Sequence, residues 1–186
     1  MTTNALILIG ATVAVFVLAV VAWIVFRQQR SKKLRSQFGP EYEHAVGKYG
    51  SSPKAETALA ARQERIEKLH IHSLPPEERH RFADRWREVQ SQFVDNPAES
   101  IEKADELVCG AMTARGYPMS DFESRAEDLS VDHPQVVQNY RAAHAIAQRR
   151  DGGAASTEDL RQALMHYRHL FDELLEAQVA MKGSAQ

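Results

Sequence analysis

A single cysteine, Cys109, stands among 186 residues. One thiol excludes an intramolecular disulfide and fits a reducing compartment. Its neighbours Leu107, Val108, Ala111 and Met112 are apolar, with no base or cation beside it, so it reads as an inert core thiol. The chain also lacks a Gly-x-Ser-x-Gly elbow, a phosphate-cradling glycine loop and a Gly-x-Gly-x-x-Gly turn. Those absences remove the usual signatures of nucleophilic catalysis and of nucleotide binding. No catalytic residue, cofactor site or metal ligand is assigned, and the chain is not expected to be an enzyme.

Negative charge predominates only slightly, at a formal −2, but it is unevenly spread. Arg27, Arg30, Lys32, Lys33 and Arg35 lie in one segment without an acid, and set aside they leave 18 basic against 25 acidic residues. An acidic body fits nucleic acid poorly, because phosphate neutralisation supplies most of that affinity. Nucleic acid is therefore not an expected partner.

What the sequence does have is an apolar N-terminus. Ala5–Phe26 is uncharged, and at about 1.5 Å per residue its length matches a hydrocarbon core of roughly 30 Å. The expectation is a single-pass transmembrane helix, with Trp23 at the interface and the basic cluster behind it as a stop-transfer and topology signal that touches anionic lipid. By the positive-inside rule, the N-terminus is expected outside and the following domain cytoplasmic, at the cell membrane. The rival expectation is cleavage after Val20-Val21-Ala22, which releases a secreted helical protein.

Beyond the basic segment 27–36, proline, glycine and capping residues divide the chain into five to six helices. Pro40 starts a short helix, and Ser52-Pro53 opens one reaching His70. A turn over His72–Pro76 precedes a helix to about Val94. Asn96-Pro97-Ala98-Glu99 forms a capping box, and Gly116 closes that helix in a left-handed cap. Asp132-His133-Pro134 restarts the chain, Gly152-Gly153 stops it, and Ser156-Thr157-Glu158-Asp159 opens a last helix to Met181. Phe82, Trp86, Val89 and Phe93 form one apolar stripe, and Leu160, Leu164, Tyr167, Phe171 and Leu174 another. The fold class expected is all-α: a transmembrane helix, then a helical bundle over 37–181, between short tails 1–4 and 182–186.

Histidine is the residue type that most invites chemistry. Glu-x-x-His recurs at Glu41/His44, Glu67/His70 and Glu77/His80, and His166 and His169 share a face with Glu173. Ferritin-like sites need such pairs facing one another inside a bundle. Two of the three stand at helix ends, where solvated or capping roles are expected. His144, on the Tyr140 stripe, is the histidine expected to be partly buried. Arg79, His80, Arg81, Arg85 and Arg87 are interleaved with Glu77, Glu78, Asp84 and Glu88, so they read as a solvated face with a Glu77–Arg81 pair.

Several words stand out: Gln37-Phe38-Gly39-Pro40-Glu41-Tyr42-Glu43, Arg85-Trp86-x-x-Val89-Gln90, Arg115-Gly116-Tyr117-Pro118, Asp128-Leu129-Ser130-Val131-Asp132-His133-Pro134 and Asn139-Tyr140-Arg141-x-x-His144. On these residues the chain resembles a family of bacterial single-pass membrane-anchored proteins with no assigned activity, across most of 36–175. The resemblance implies a bacterial source and a shared fold, and carries no functional residue. The function expected is a protein-interaction or scaffold module at the bacterial membrane, acting through a protein partner or self-association. The alternative is a histidine-dependent metal- or pH-responsive envelope protein.

Overall fold

The computed structural model describes the backbone of residues 3–176 and the side chains of 16–176 apart from Asp151. Among them are eight helices: α1 (Thr3–Phe38), α2 (Pro40–Tyr49), α3 (Ser52–Glu67), α4 (Pro76–Gln92), α5 (Pro97–Ala114), α6 (Phe122–Asp132), α7 (Val137–Asp151) and α8 (Thr157–Glu176). The all-α expectation stands, with seven helices after α1 where five to six were expected. The expected endpoint at Met181 and the tail 182–186 lie outside the described residues, as do Met1 and Thr2.

The transmembrane expectation is corrected. Among the described residues no helix is long and apolar enough to cross a membrane. Of Ala5–Phe26, the side chains of 5–15 lie outside the description. The single-pass membrane assignment falls on the absence of such a helix among the described residues. Nor does the helix end at the basic segment. With no proline or glycine between Ala11 and Phe38, α1 continues through Arg27–Arg35 until Gly39-Pro40 breaks it. Gly39 takes a φ of 49°, which turns the chain into α2.

Two apolar cores result. The smaller joins α1, α2 and α3 through Leu34, Phe38, Tyr42, Ala45, Ala55 and Leu59. The larger gathers Trp86, Val89, Ile101, Leu107, Val108, Met112, Leu129, Tyr140, Tyr167 and Phe171 from α4 to α8. Both predicted stripes reach it: Phe171 stacks on Trp86 at 4.7 Å, and Leu160, Leu164, Tyr167 and Leu174 are buried along α8. Burying a large apolar side chain is worth about 1.5–3 kcal/mol, so these stripes hold the body together.

Several boundaries moved for local reasons. Helix α3 ends at Glu67, before His70, because the backbone turns to pair His72 N–H with the Arg115 carbonyl at 3.0 Å. Asn96 precedes α5 without a side-chain cap bond. Asp132 ends α6 instead of restarting the chain, and α7 begins at Val137 after the Pro134 turn. Gly116 does adopt the left-handed conformation expected of it, at φ 93°.

Candidate functional site

Between the two cores lies a layer of charge. Glu41, from the first turn of α2, is fully buried. Its Oε1 accepts from Arg62 Nη1 of α3 at 2.9 Å and from Arg141 Nη2 of α7 at 3.1 Å, and Oε2 accepts from Gln138 at 3.3 Å. The other end of Arg62 donates to Glu127 of α6 at 2.7 Å. Lys48 of α2 donates to Glu127 at 2.8 Å and to Glu123 at 3.1 Å. Arg141 closes the circuit on Glu123 at 2.6 Å. The result is a closed ring of alternating charge: Glu41, Arg62, Glu127, Lys48, Glu123, Arg141. Three carboxylates balance three cations.

The ring exists because four helices bring one polar face to one seam. Glu123 and Glu127 are four residues apart on α6, and Arg62 and Arg65 face them from α3. Arg65 extends the seam by pairing with the buried Asp128. Burial pushes the Glu123 carboxyl up, but the hydrogen bonds and charges of Arg141 and Lys48 outweigh it and hold the group at about 2. Arg141 and Lys48 are correspondingly held above their usual values, against the lowering effect of burial. Every member is paired on both sides, so the ring clamps the two cores together.

A second polar node lies under the α5–α6 corner. Arg115, 2% exposed, donates from Nη1 to the Leu174 carbonyl at 3.0 Å and from Nε to the His72 carbonyl at 3.3 Å. The same Nη1 lies 3.5 Å from His133 Nε2, while His133 Nδ1 lies 3.1 Å from Glu173 Oε1. An arginine can only donate, so Nε2 accepts and Nδ1 carries the proton toward Glu173. Burial holds the imidazole below its usual 6.5, with the Arg115 charge helping and Glu173 opposing. Beside it, Tyr117 donates to Asp132 at 2.8 Å.

Comparison with protein-family models, with curated proteins and with solved structures finds no match.

Arg27, Arg30, Lys32, Lys33 and Arg35 are all exposed, and Trp23 is exposed under the Arg27 guanidinium at 5.5 Å. Cys109 lies partly buried beside Tyr140, its thiol pushed up by burial and then by Asp105. His144 is partly buried, stacked on Phe122 at 3.6 Å. His44 faces Glu123 at 3.8 Å, while Glu41 turns inward to its arginines. On α4, Arg81 pairs with Glu78 rather than Glu77. Among the described residues no group of three or more His, Cys, Asp or Glu is arranged to hold a metal ion.

Sequence reading missed the ring and the buried His133. Glu41, Arg115, His133 and Arg141 all fall inside the words that stood out, yet no spacing rule joins residues up to 100 positions apart.

Proposed function

We propose that the chain is a non-enzymatic interaction module working at the cytoplasmic face of a bacterial membrane, in which α1 presents the clamped helical body to a protein partner or to a second copy. The observation that carries this reading is the run Phe16–Phe26. Phe16, Leu18, Trp23 and Phe26 are each more than 60% exposed, and Val17, Val21, Ile24 and Val25 between them are exposed as well. Contiguous apolar surface of this kind marks an interaction site. The five exposed cations that follow support a place beside an anionic surface, at about 1 kcal/mol each near the lipid. The closed charge ring and the raised thiol support a role in binding over one in chemistry.

Photo-crosslinking from Phe16, Leu18 or Phe26 in intact cells tests the reading. A discrete protein adduct or a dimer of this chain is expected. A monomer with no adduct from any of the three positions overturns it. A reporter fused to the C-terminus checks the location, and an external signal excludes the cytoplasmic placement.

A second reading, a pH-responsive protein, rests on His133 alone. Its Nδ1 proton faces Glu173 and its Nε2 faces Arg115, so acid adds a second proton against the guanidinium and strains that node.

A further inference from the structure

Buried carboxylates need cations, because a desolvated charge left alone is costly. Among the described residues Glu41, Glu56 and Asp128 are the buried acids. Arginines meet Glu41 and Asp128. Glu56 is only 9% exposed and is met by a neutral group, the Tyr42 hydroxyl, which donates to Oε1 at 2.9 Å. Glu56 also lines a groove of about 290 Å³ between α1 and the start of α3, with Trp23, Arg27, Ser31 and Ser52.

The groove wall is built by helix periodicity. Trp23, Arg27 and Ser31 are spaced four apart on α1, and Ser52 and Glu56 four apart on α3, so each set shares one face. A buried carboxylate attracts an ammonium, while the Trp23 ring already carries the Arg27 guanidinium at 5.5 Å and holds it at the groove. Ser31 supplies a further oxygen near the Tyr42 hydroxyl, at 3.4 Å. Arg27 supplies a planar fork suited to a phosphate. Ser52 adds a hydroxyl in the first turn of α3, where the helix dipole favours an anion.

We propose that this groove binds a primary-amine zwitterion of the phosphoethanolamine type, with its ammonium on Glu56 and Ser31 and its phosphate on Arg27 and Ser52. The ammonium supplies the counter-charge that Glu56 lacks. A quaternary ammonium fits less well, because it has no N–H to donate to Glu56 or Ser31. The same chemistry occurs in a soluble phosphoethanolamine and in a lipid headgroup. The assignment does not rest on the interaction reading above.

Calorimetric titration of the full chain with O-phosphoethanolamine, phosphocholine and inorganic phosphate tests the proposal, with Trp23 fluorescence as a second readout. Saturable binding of O-phosphoethanolamine is expected, tighter than that of phosphocholine or phosphate. Glu56→Gln keeps the Tyr42 hydrogen bond but removes the charge, and is expected to weaken binding roughly tenfold or more, as is Arg27→Gln. Flotation with vesicles of phosphatidylethanolamine or phosphatidylcholine separates the sources. Selective flotation with the former assigns the lipid headgroup, and its absence beside soluble binding assigns the free compound. No saturation at concentrations on the order of ten millimolar, or unchanged binding by Glu56→Gln, overturns the proposal. So does a clear loss of thermal stability in Glu56→Gln without ligand, since that shows Glu56 already paired within the fold.

Discussion

Glu41 and Arg62, 21 residues apart in sequence, form an ion pair at 2.9 Å with 0% and 2% of their side chains exposed. Neither has water to fall back on. The Arg62 Nε is buried without a partner, so the guanidinium spends its donors on Glu41 and Glu127 alone. Isolated buried pairs are poor stabilisers because desolvation offsets their attraction. Here each charge serves two partners, so one desolvation cost is shared by two contacts.

Removing one member is therefore expected to cost more than the pair is worth. Arg62→Ala leaves Glu41 to Arg141 and Glu127 to Lys48, with a buried void between them. A loss of about 3 kcal/mol in urea unfolding is expected. Replacing both partners by apolar residues, Glu41→Leu with Arg62→Met, is expected to recover stability to within about 1 kcal/mol of the parent. If the double variant is as unstable as the single one, the ring contributes more than charge satisfaction.

Acid should weaken the fold in two stages. His133 is held below 6.5 in the folded chain, so the unfolded chain binds its proton first. Stability from this group is present above about pH 6.5 and falls as pH drops below it. His166, also held low by burial and by His169, acts in the same sense. Melting temperature measured down to about pH 5 should decline in the parent and decline less in His133→Gln. Equal slopes in the two proteins would exclude His133 as the source.

The second stage belongs to the ring. Glu123, held at about 2 against a usual 4.5, favours the folded state above 4.5 and gives up that contribution as pH falls toward 2. Glu123→Gln should therefore be less stable than the parent near neutrality and converge on it in strong acid. A constant difference across the whole range would contradict the assignment.

How much of this was legible follows from how each feature is encoded. Helix stripes are local, so the buried faces of α4 and α8 could be read directly from Trp86, Val89, Leu164 and Phe171. Turn chemistry is local too, which is why Gly116 was found. The ring is different in kind. Glu41, Arg62, Glu123 and Arg141 each look like ordinary solvated helix charges, and only the packing of four helices shows that they share one buried seam. His133 was read as part of a helix start, and its burial depends on α8 folding back to bring Glu173 beside it. The N-terminal apolar run was legible as composition. As a membrane span it did not survive, since among the described residues no helix is long and apolar enough to cross a membrane.

Cys109 offers a direct check on the inert reading of the thiol. Burial and the neighbouring Asp105 push it up, which lowers the thiolate fraction at neutral pH. Labelling by an aromatic disulfide reagent should be at least about tenfold slower in the native protein than in urea. Cys109→Ala should fold and melt close to the parent. Fast native labelling would mark the thiol as reactive and reopen a catalytic or redox role.

Gly116 and Gly50 separate backbone strain from steric conflict. Both close helices at positive φ, 93° and 76°, so alanine at either position should cost about 1–2 kcal/mol from the left-handed conformation alone. Around Gly50 an added Cβ meets nothing within 4 Å. At Gly116 it meets the His70 carbonyl oxygen at 2.7 Å, in backbone fixed by the neighbouring Arg115–His72 hydrogen bond. That oxygen cannot swing aside as a flexible side chain would. Gly116→Ala should therefore be the worse of the two by a further 1 kcal/mol or about that, measured by urea unfolding. Gly116→Ala should also disturb Arg115 next to it, and through Arg115 the His133–Glu173 contact. The expected signature is a changed acid slope in Gly116→Ala beside an unchanged one in Gly50→Ala. Equal costs in the two variants would show that the His70 turn yields, and that the corner is looser than its close approach implies.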